Sequence, residues 1–291
     1  MHCDRPAENN LSRAGELIAE AASKRAAIVC LPELFLSPYF CQYKHNDVVR
    51  HSAQPIPGPA TDYLGNLARH YRVCILGGSI FERGGDGRYY DTTPVIDERG
   101  QLVGIYRKTH LPEDERYHEQ HYFSPGTERT GVYTLAGCRV APLLCYDQWF
   151  PETARLAALA GAEVICFPSA IGRFTDEEPA EGDWQSAWED VQRAHAIANN
   201  VHVVAVNRTG IEGGLAFWGG SFGSDSFGKV LARGGEEEGV VVVTCNLSQA
   251  EETRRLWGFH RNRRPDLYSP LSESLANEPR RPSKIGGHLV R

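Results

Sequence analysis

Cys145 ends the apolar run 140–144, and Pro151 then opens the helical pattern 152–159. A thiol at a strand-to-helix junction lies near the positive end of a helix dipole. The nucleophilic thiolate is favoured there. Two other polar residues also end apolar runs. Glu33 follows Ile28-Val29-Cys30-Leu31-Pro32, and Lys108 follows Leu102-Val103-Gly104-Ile105-Tyr106-Arg107. Strand ends along one sheet edge are where α/β sites are built. A carboxylate, an ammonium and a thiol brought together there have complementary chemistry. The carboxylate takes and returns protons, the thiolate attacks carbon, and the ammonium steadies the oxyanion. Position alone leaves a second reading open, because strand-end charges are usually solvated or paired.

The elements that must carry these groups follow from the apolar pattern. Asn9 or Asn10 caps a helix whose apolar face is Leu11, Ala14, Leu17, Ile18 and Ala21. A strand over 26–31 comes next, then an aromatic, proline-rich loop over 35–59 and a helix over 61–72. Strands follow at 73–76, 89–96 and 102–108, the last two joined by the turn Asp97-Glu98-Arg99-Gly100. A long polar loop, 109–130, precedes the strand leading to Cys145. Beyond its helix, strand 164–167, helix 183–199 and strand 201–206 repeat the rhythm. Strands at 221–226, 229–232 and 240–245 close the pattern. Strands alternating with helices indicate α/β, and the adjacent hairpins add antiparallel pairing. If two such sheets pack on each other, helices cover only the outer face of each.

Length and charge bound the function. A chain of 291 residues without a linker, repeat or long charge block reads as one domain, residues 1–271, with a tail rich in Pro, Arg and Ser at 272–291. Net charge −6 and a pI near 6.0 argue against non-specific binding of nucleic acid or anionic membrane. The Arg261-Asn262-Arg263-Arg264 cluster reads as packing or subunit contact. No apolar stretch approaches the roughly 20 residues of a membrane span. Without an apolar signal core at the start, a cytoplasmic location is expected. The eight cysteines show no C-x-x-C spacing; Cys30, Cys74, Cys166 and Cys245 read as small buried hydrophobes in a reducing compartment.

Three segments, Leu31-Pro32-Glu33-Leu34-Phe35, Tyr106-Arg107-Lys108-Thr109-His110-Leu111-Pro112 and Cys145-Tyr146-Asp147-Gln148-Trp149-Phe150-Pro151-Glu152, resemble the signature segments of the nitrilase (carbon–nitrogen hydrolase) superfamily in order and approximate spacing. The resemblance continues through Phe167-Pro168-Ser169-Ala170-Ile171-Gly172, Asn207-Arg208-Thr209-Gly210 and Arg263-Arg264-Pro265-Asp266-Leu267-Tyr268. It implies a four-layer αββα sandwich and a Glu33-Lys108-Cys145 triad, with Glu119 of Tyr117-His118-Glu119 as a second glutamate. It also implies an oxyanion contact from the backbone N–H of Tyr146, no metal or organic cofactor, and at least a homodimer. Tyr39-Phe40-Cys41-Gln42, Asp147 to Glu152 and Ala170-Ile171-Gly172 resemble the branch that acts on N-carbamoylputrescine. The implied reaction is hydrolysis of a terminal ureido group to amine, ammonia and carbon dioxide. The substrate's far end is then an ammonium, which calls for a carboxylate or aromatic faces. Tyr39, Trp149 and Trp218 supply aromatic faces. Acids stand at Glu113, Asp114 and Glu115 and at Asp176, Glu177, Glu178, Glu181 and Asp183. Glu113 and Asp176 are the candidates, and a solvated acidic loop is the plainer alternative.

The chain departs from the family pattern in places. The family's first apolar strand is not represented before Met1-His2-Cys3-Asp4, so one strand of the sheet is expected to be lacking and the core weakened. Asp91 stands where Asn is frequent, Tyr146 where Trp is frequent, and Trp218 where Tyr is frequent. Other readings compete. A β-ureidopropionase-like amidase would need a cationic pocket rather than an anionic one. Gly219-Gly220-Ser221-Phe222-Gly223 matches the G-x-S-x-G elbow of serine esterases, but a turn and strand follow Ser221 instead of a helix. His118-Glu119-Gln120-His121 is one residue short of H-E-x-x-H. A catalytically inactive binding protein is the remaining alternative, and the complete triad argues against it.

Overall fold

The structure, a computed structural model, describes residues 1–3, 6–44, 46–177 and 180–273. Glu178 and all but the first two residues of the expected tail lie outside this range. Helix α1 (Ala7–Ser23) buries Ala14, Leu17, Ile18 and Ala21, spaced to fall on one face. It starts earlier than expected, with Pro6 at its N-cap position. Asn10 is buried and donates its amide to the Cys3 carbonyl at 3.1 Å, so it ties down the preceding segment instead of capping the helix. There follow β1 (Ile28–Cys30), α2 (Pro59–Tyr71), β2 (Cys74–Leu76), β3 (Ile80–Arg83), β4 (Tyr89–Ile96) and β5 (Leu102–Arg107). β1 runs parallel to β2, while β2, β3 and β5 pair antiparallel with β4. Strand β3 was hidden in the sequence by its charged half. Glu82 is nevertheless buried, because Arg107 of β5 pairs with it at 2.5 Å.

The expected loop 109–130 contains a two-stranded ribbon, β6 (Glu113–Asp114) and β7 (Tyr117–His118), followed by a 3-10 turn at Glu119–His121. The second half holds β8 (Tyr133–Leu135), β9 (Cys138–Pro142), a 3-10 turn at Cys145–Trp149, α3 (Pro151–Leu159), β10 (Val164–Ser169), β11 (Gly172–Phe174), α4 (Trp184–Asn199), β12 (His202–Asn207), β13 (Thr209–Glu212), β14 (Leu215–Trp218), β15 (Phe222–Ser224), β16 (Val230–Arg233) and α5 (Leu247–Trp257). The second large sheet has the order β16-β15-β12-β10-β9-β8, with β10 parallel to both neighbours. A small sheet, β11-β14-β13, stands apart from it.

Burial fixes the layers. Leu64 and Ala68 of α2, with Ile18 of α1, pack on Ile75 and Ile96 of the first sheet. Cys74, Leu76 and Val95 meet Leu135, Val140, Val164 and Cys166 between the sheets. Ala154, Ala157 and Ala158 of α3 and Ala196 of α4 cover Ala141, Ile165 and Phe167 on the far side. The result is the four-layer α-β-β-α sandwich of the sequence reading. Strands with both faces covered read as continuous apolar runs, and each fully buried Ile or Leu contributes roughly 1.5–3 kcal/mol. All eight cysteines are free. Among the described residues, no helix is long and apolar enough to cross a membrane.

Two features of the C-terminal part differ from expectation. Residues 240–245 form no strand, although Val240-Val241-Val242-Val243-Thr244-Cys245 has the composition for one. A groove of about 560 Å³ separates them from β1; Leu17, Ala21, Cys138, Val140 and Cys166 also line it. Strand pairing needs a neighbour at about 4.8 Å, and residues 240–245 have no ladder among the described residues. The groove shares no lining residue with Glu33, Lys108 or Cys145. Helix α5 was not expected because it is polar around most of its surface, burying only Ala250. Its end signals were nonetheless present: the Asn246 side chain accepts from the Gln249 N–H, and Gly258 takes the left-handed conformation at the C-cap.

Gly78, with φ +55°, joins β2 to β3 beneath the loop that carries Glu33. A Cβ there would lie 1.9 Å from the Pro32 carbonyl oxygen. Gly78→Ala is therefore expected to lower stability by about 1–3 kcal/mol in urea titration and to reduce activity, because the displaced residue adjoins Glu33. A variant as stable and active as the parent would contradict this placement.

Candidate active site

Three loops at sheet edges converge on one buried ammonium. Lys108, the residue after β5, donates from Nζ to Glu33 Oε1 at 2.7 Å and to Glu119 Oε2 at 2.5 Å. All three side chains are shielded from solvent. Glu119 Oε1 accepts the Tyr39 hydroxyl at 2.8 Å. Burial works against the ammonium, but Glu119 and Glu33 more than offset it and raise its proton affinity well above that of a free lysine. Burial pushes Glu119 up to about 7, with Lys108 opposing and Glu33 adding to the rise.

Cys145 opens the 3-10 turn at φ +34°, an unfavourable conformation for a residue with a side chain. The turn is held by Asp147. Its Oδ2 accepts from the Leu144 N–H at 3.0 Å and the Tyr106 hydroxyl at 2.6 Å, and its Oδ1 accepts from the His110 N–H at 3.0 Å. Tyr106 and His110 flank Lys108 in sequence, so Asp147 locks the thiol's turn to the segment carrying the ammonium. The Asp147 N–H closes onto the Leu144 carbonyl at 2.8 Å. The Tyr146 N–H, one residue earlier, lies outside that bond and belongs to the first turn, whose donors are left for other acceptors. Tyr146 itself packs edge-on against Phe150.

The expectation that a helix dipole favours the thiolate is corrected here. Helix α3 begins only at Pro151, and the Cys145 thiol is buried beside carboxylates. Burial raises its proton affinity well above the free value and Glu33 raises it further. Lys108 and a hydrogen bond from the Ala170 backbone act in the other direction. The resting group is a thiol, and it needs a neighbouring base to become a nucleophile. Of the neighbouring carboxylates, Glu33 influences the thiol most strongly.

The Glu33 loop has its own clamp, one that the sequence reading did not single out. Arg208, fully buried after β12, donates to the carbonyls of Glu33 (3.1 Å), Leu34 (2.5 Å) and Ser37 (3.0 Å), and through Nη1 to both oxygens of Glu212 at 2.9 Å. Glu212 Oε2 also accepts the Tyr39 N–H at 2.7 Å. The available signal was positional: Arg208 is a charged residue ending an apolar strand, as Glu33 and Lys108 are.

The other candidates divide into two groups. Trp218 is buried and Trp149 half-buried in the cluster that contains Cys145, and Tyr39 touches Glu119 directly. Glu113 and Asp176 are committed to surface ion pairs. Glu113 pairs with Lys44 at 3.2 Å and His118 at 3.1 Å, and Asp176 with Arg116 at 2.6 Å. Asp183 caps α4. The burial of Glu119 against Lys108 removes it from any exposed histidine motif. Ser221 Oγ accepts the Asn207 N–H at 2.9 Å and leads into strand β15, so no nucleophile elbow forms. Oxygens of Glu33, Asp91 and Glu119 lie within 4.8 Å of one another, a spacing able to hold a cation. The Lys108 ammonium already occupies that role for two of them.

Comparison with known proteins identifies the family. The Carbon-nitrogen hydrolase family matches residues 5–255. The chain is 37% identical over 279 residues to an N-carbamoylputrescine amidase of Solanum lycopersicum, covering 92% of this chain and 91% of the relative. It is 36% identical over 277 residues to a citrullinase of Francisella tularensis, covering 92% and 94%. Among solved structures, a carbon-nitrogen hydrolase from Helicobacter pylori G27 superposes with a TM-score of 0.87 at 32% identity, covering 94% of this chain and 95% of that one. The chain belongs to the carbon–nitrogen hydrolase family.

Glu119 binds its proton more tightly in the folded state than at the unperturbed value of 4.5. Its contribution to stability is therefore full below about pH 4.5 and is lost as pH rises through about 7. Glu119→Gln is expected to flatten the stability curve over that window in urea titrations at a series of pH values. An unchanged slope would contradict the assignment.

Proposed function

We propose that this carbon–nitrogen hydrolase cleaves the terminal ureido group of a small linear substrate, with N-carbamoylputrescine as the preferred one. The observation that carries the reading is the Lys108 ammonium held between Glu33 and Glu119, in the electrostatic neighbourhood of the buried Cys145 thiol. Glu33 takes the thiol proton as sulfur attacks the ureido carbonyl carbon. The oxyanion gathers donors from Lys108 Nζ and the Tyr146 N–H. Collapse of the tetrahedral species expels ammonia, which leaves with the proton held by Glu33, and a carbamoyl thioester remains on Cys145. Glu33 then removes a proton from water, and the hydroxide displaces sulfur, which recovers its proton. The released carbamic acid breaks down to amine and carbon dioxide. Lys108 remains an ammonium throughout, because its two carboxylate partners oppose its deprotonation. Glu119 holds Lys108 in register and balances its charge.

The two relatives support a ureido group as the common substrate feature, since N-carbamoylputrescine and citrulline both end in one. They differ at the far end, a lone ammonium in one and an amino acid in the other. The negative net charge and the acids near the β6–β7 ribbon favour the ammonium. Citrulline is the second reading, favoured by the citrullinase likeness. Tyr39, Trp149 and Trp218 supply the apolar walls for the linker in either case.

Ammonia release measured across carbamoylputrescine, citrulline, N-carbamoyl-β-alanine, simple amides and nitriles tests the proposal. Carbamoylputrescine is expected to have the highest kcat/KM, and Cys145→Ser to lose about a thousandfold or more. Turnover of none of the ureido compounds, or full activity in the variant, would refute the reading. For the tail, Glu113 is the candidate that lies on the ribbon leading to Glu119. In that role Glu113 exchanges its pairing with Lys44 and His118 for the substrate ammonium, and Glu113→Gln is expected to raise KM for carbamoylputrescine several-fold with little change in kcat. An unchanged KM would remove Glu113 from substrate recognition.

A further inference from the structure

Asp91 is a third carboxylic acid against the cluster, and the mechanism above does not use it. It sits on β4, where its carbonyl accepts the Lys108 N–H at 2.9 Å, so its backbone is fixed beside the ammonium's own strand end. Its side chain is 1% exposed, and neither carboxyl oxygen has a hydrogen bond of ordinary geometry. Glu33 Oε2 is likewise buried and unpartnered, since Lys108 Nζ donates its hydrogen bond to Oε1. Oxygens of Asp91, Glu33 and Glu119 lie within 4.8 Å of one another. Three ionised carboxylates around one ammonium would leave two uncompensated charges in a site closed to solvent, and buried charges of like sign do not ionise together.

We propose that Asp91 is a positioning residue that keeps its proton through the working range and presents a neutral O–H to the free side of Glu33, directly or through one water. Glu33 then stays available as the base, and Lys108 has two anionic partners instead of three. The groups facing Asp91 are Glu33 on the loop after β1, Lys108 after β5, Glu119 on its 3-10 turn, Cys41 on the turn Phe40–Gln42, and the neutral hydroxyl of Ser79 between β2 and β3. Burial and Glu33 both raise the proton affinity of Asp91 well above the ordinary carboxylate range, with Lys108 opposing. Loss of this proton adds a negative charge to the Glu33–Glu119 cluster, whose carboxylates already raise the proton affinity of the Cys145 thiol. The thiol then holds its own proton more tightly, and Asp91 sets the alkaline limit of activity.

The inference rests on the assignment of Glu33 as base, and its test separates the two. Asp91→Asn keeps the shape and the neutral charge. Its kcat/KM is expected to stay within about threefold of the parent at pH 7, while the alkaline limb moves up by about one unit or more. The variant then becomes about tenfold more active than the parent at pH values beyond the parent's limb. An unmoved limb, or a loss of tenfold or more at pH 7, would overturn the proposal. Infrared spectroscopy of the resting enzyme at pH 7 needs no turnover. The parent-minus-Asp91→Asn difference spectrum, in which the contribution of Glu119 cancels, is expected to show a protonated-carboxyl band, and a difference spectrum without that band would overturn the proposal. If no ureido compound is hydrolysed, the functional reading fails while the infrared band still decides the state of Asp91.

Discussion

An ammonium with no access to water needs anionic partners, and that constraint orders this molecule. Lys108 has two, Glu33 from the loop after β1 and Glu119 from the turn after the β6–β7 ribbon. Removing Lys108 would leave two buried carboxylates facing each other without a cation, and stranding buried charge in this way typically costs several kcal/mol. The three groups are therefore mutually dependent, although Glu33 and Lys108 are 75 residues apart. The same cluster sets the state of the thiol. Cys145 rests protonated because burial and Glu33 outweigh Lys108. In the proposed reaction, reactivity then comes from proton transfer within the site.

Rigid supports hold the three loops in place. Arg208 satisfies the carbonyls of the Glu33 loop and is itself neutralised by Glu212. Asp147 joins the Cys145 turn to Tyr106 and His110 on either side of Lys108. Neither acts on substrate in the proposed chemistry. Both turn irregular backbone, which would otherwise carry unsatisfied polar groups, into fixed geometry. The strained φ of Cys145 is tolerated because Asp147 determines the turn from several sides.

The sandwich, and the placing of Glu33, Lys108 and Cys145 at the ends of apolar runs, were legible in the sequence for one reason. Strands covered on both faces are written as apolar runs, and the chemistry stands where the runs stop. Glu33, Lys108 and Cys145 each followed such a run. The features that escaped are those in which tertiary contacts override local pattern. Glu82 is buried in β3 only because Arg107 comes from another strand. Helix α5 is nearly all polar and is marked only by its caps. Residues 240–245 read as a strand from composition but have no ladder. The thiolate expected from the helix dipole gave way to desolvation, which no local pattern of residues reveals. Glu113 and Asp176 illustrate the converse: acidic character was readable, but their pairing with Lys44, His118 and Arg116 was not.

The central claim is that Cys145 carries the reacting carbon as a covalent thioester while Glu33 moves the protons. Acid quenching during turnover of carbamoylputrescine, followed by mass analysis of the intact chain and of its Cys145 peptide, tests this most directly. An adduct of the substrate less ammonia is expected on Cys145 of the parent during turnover, and its formation is expected to be lost in Glu33→Gln, which lacks the base. Steady ammonia release with no adduct on Cys145, or an adduct on another residue that is chemically and kinetically competent, would contradict it.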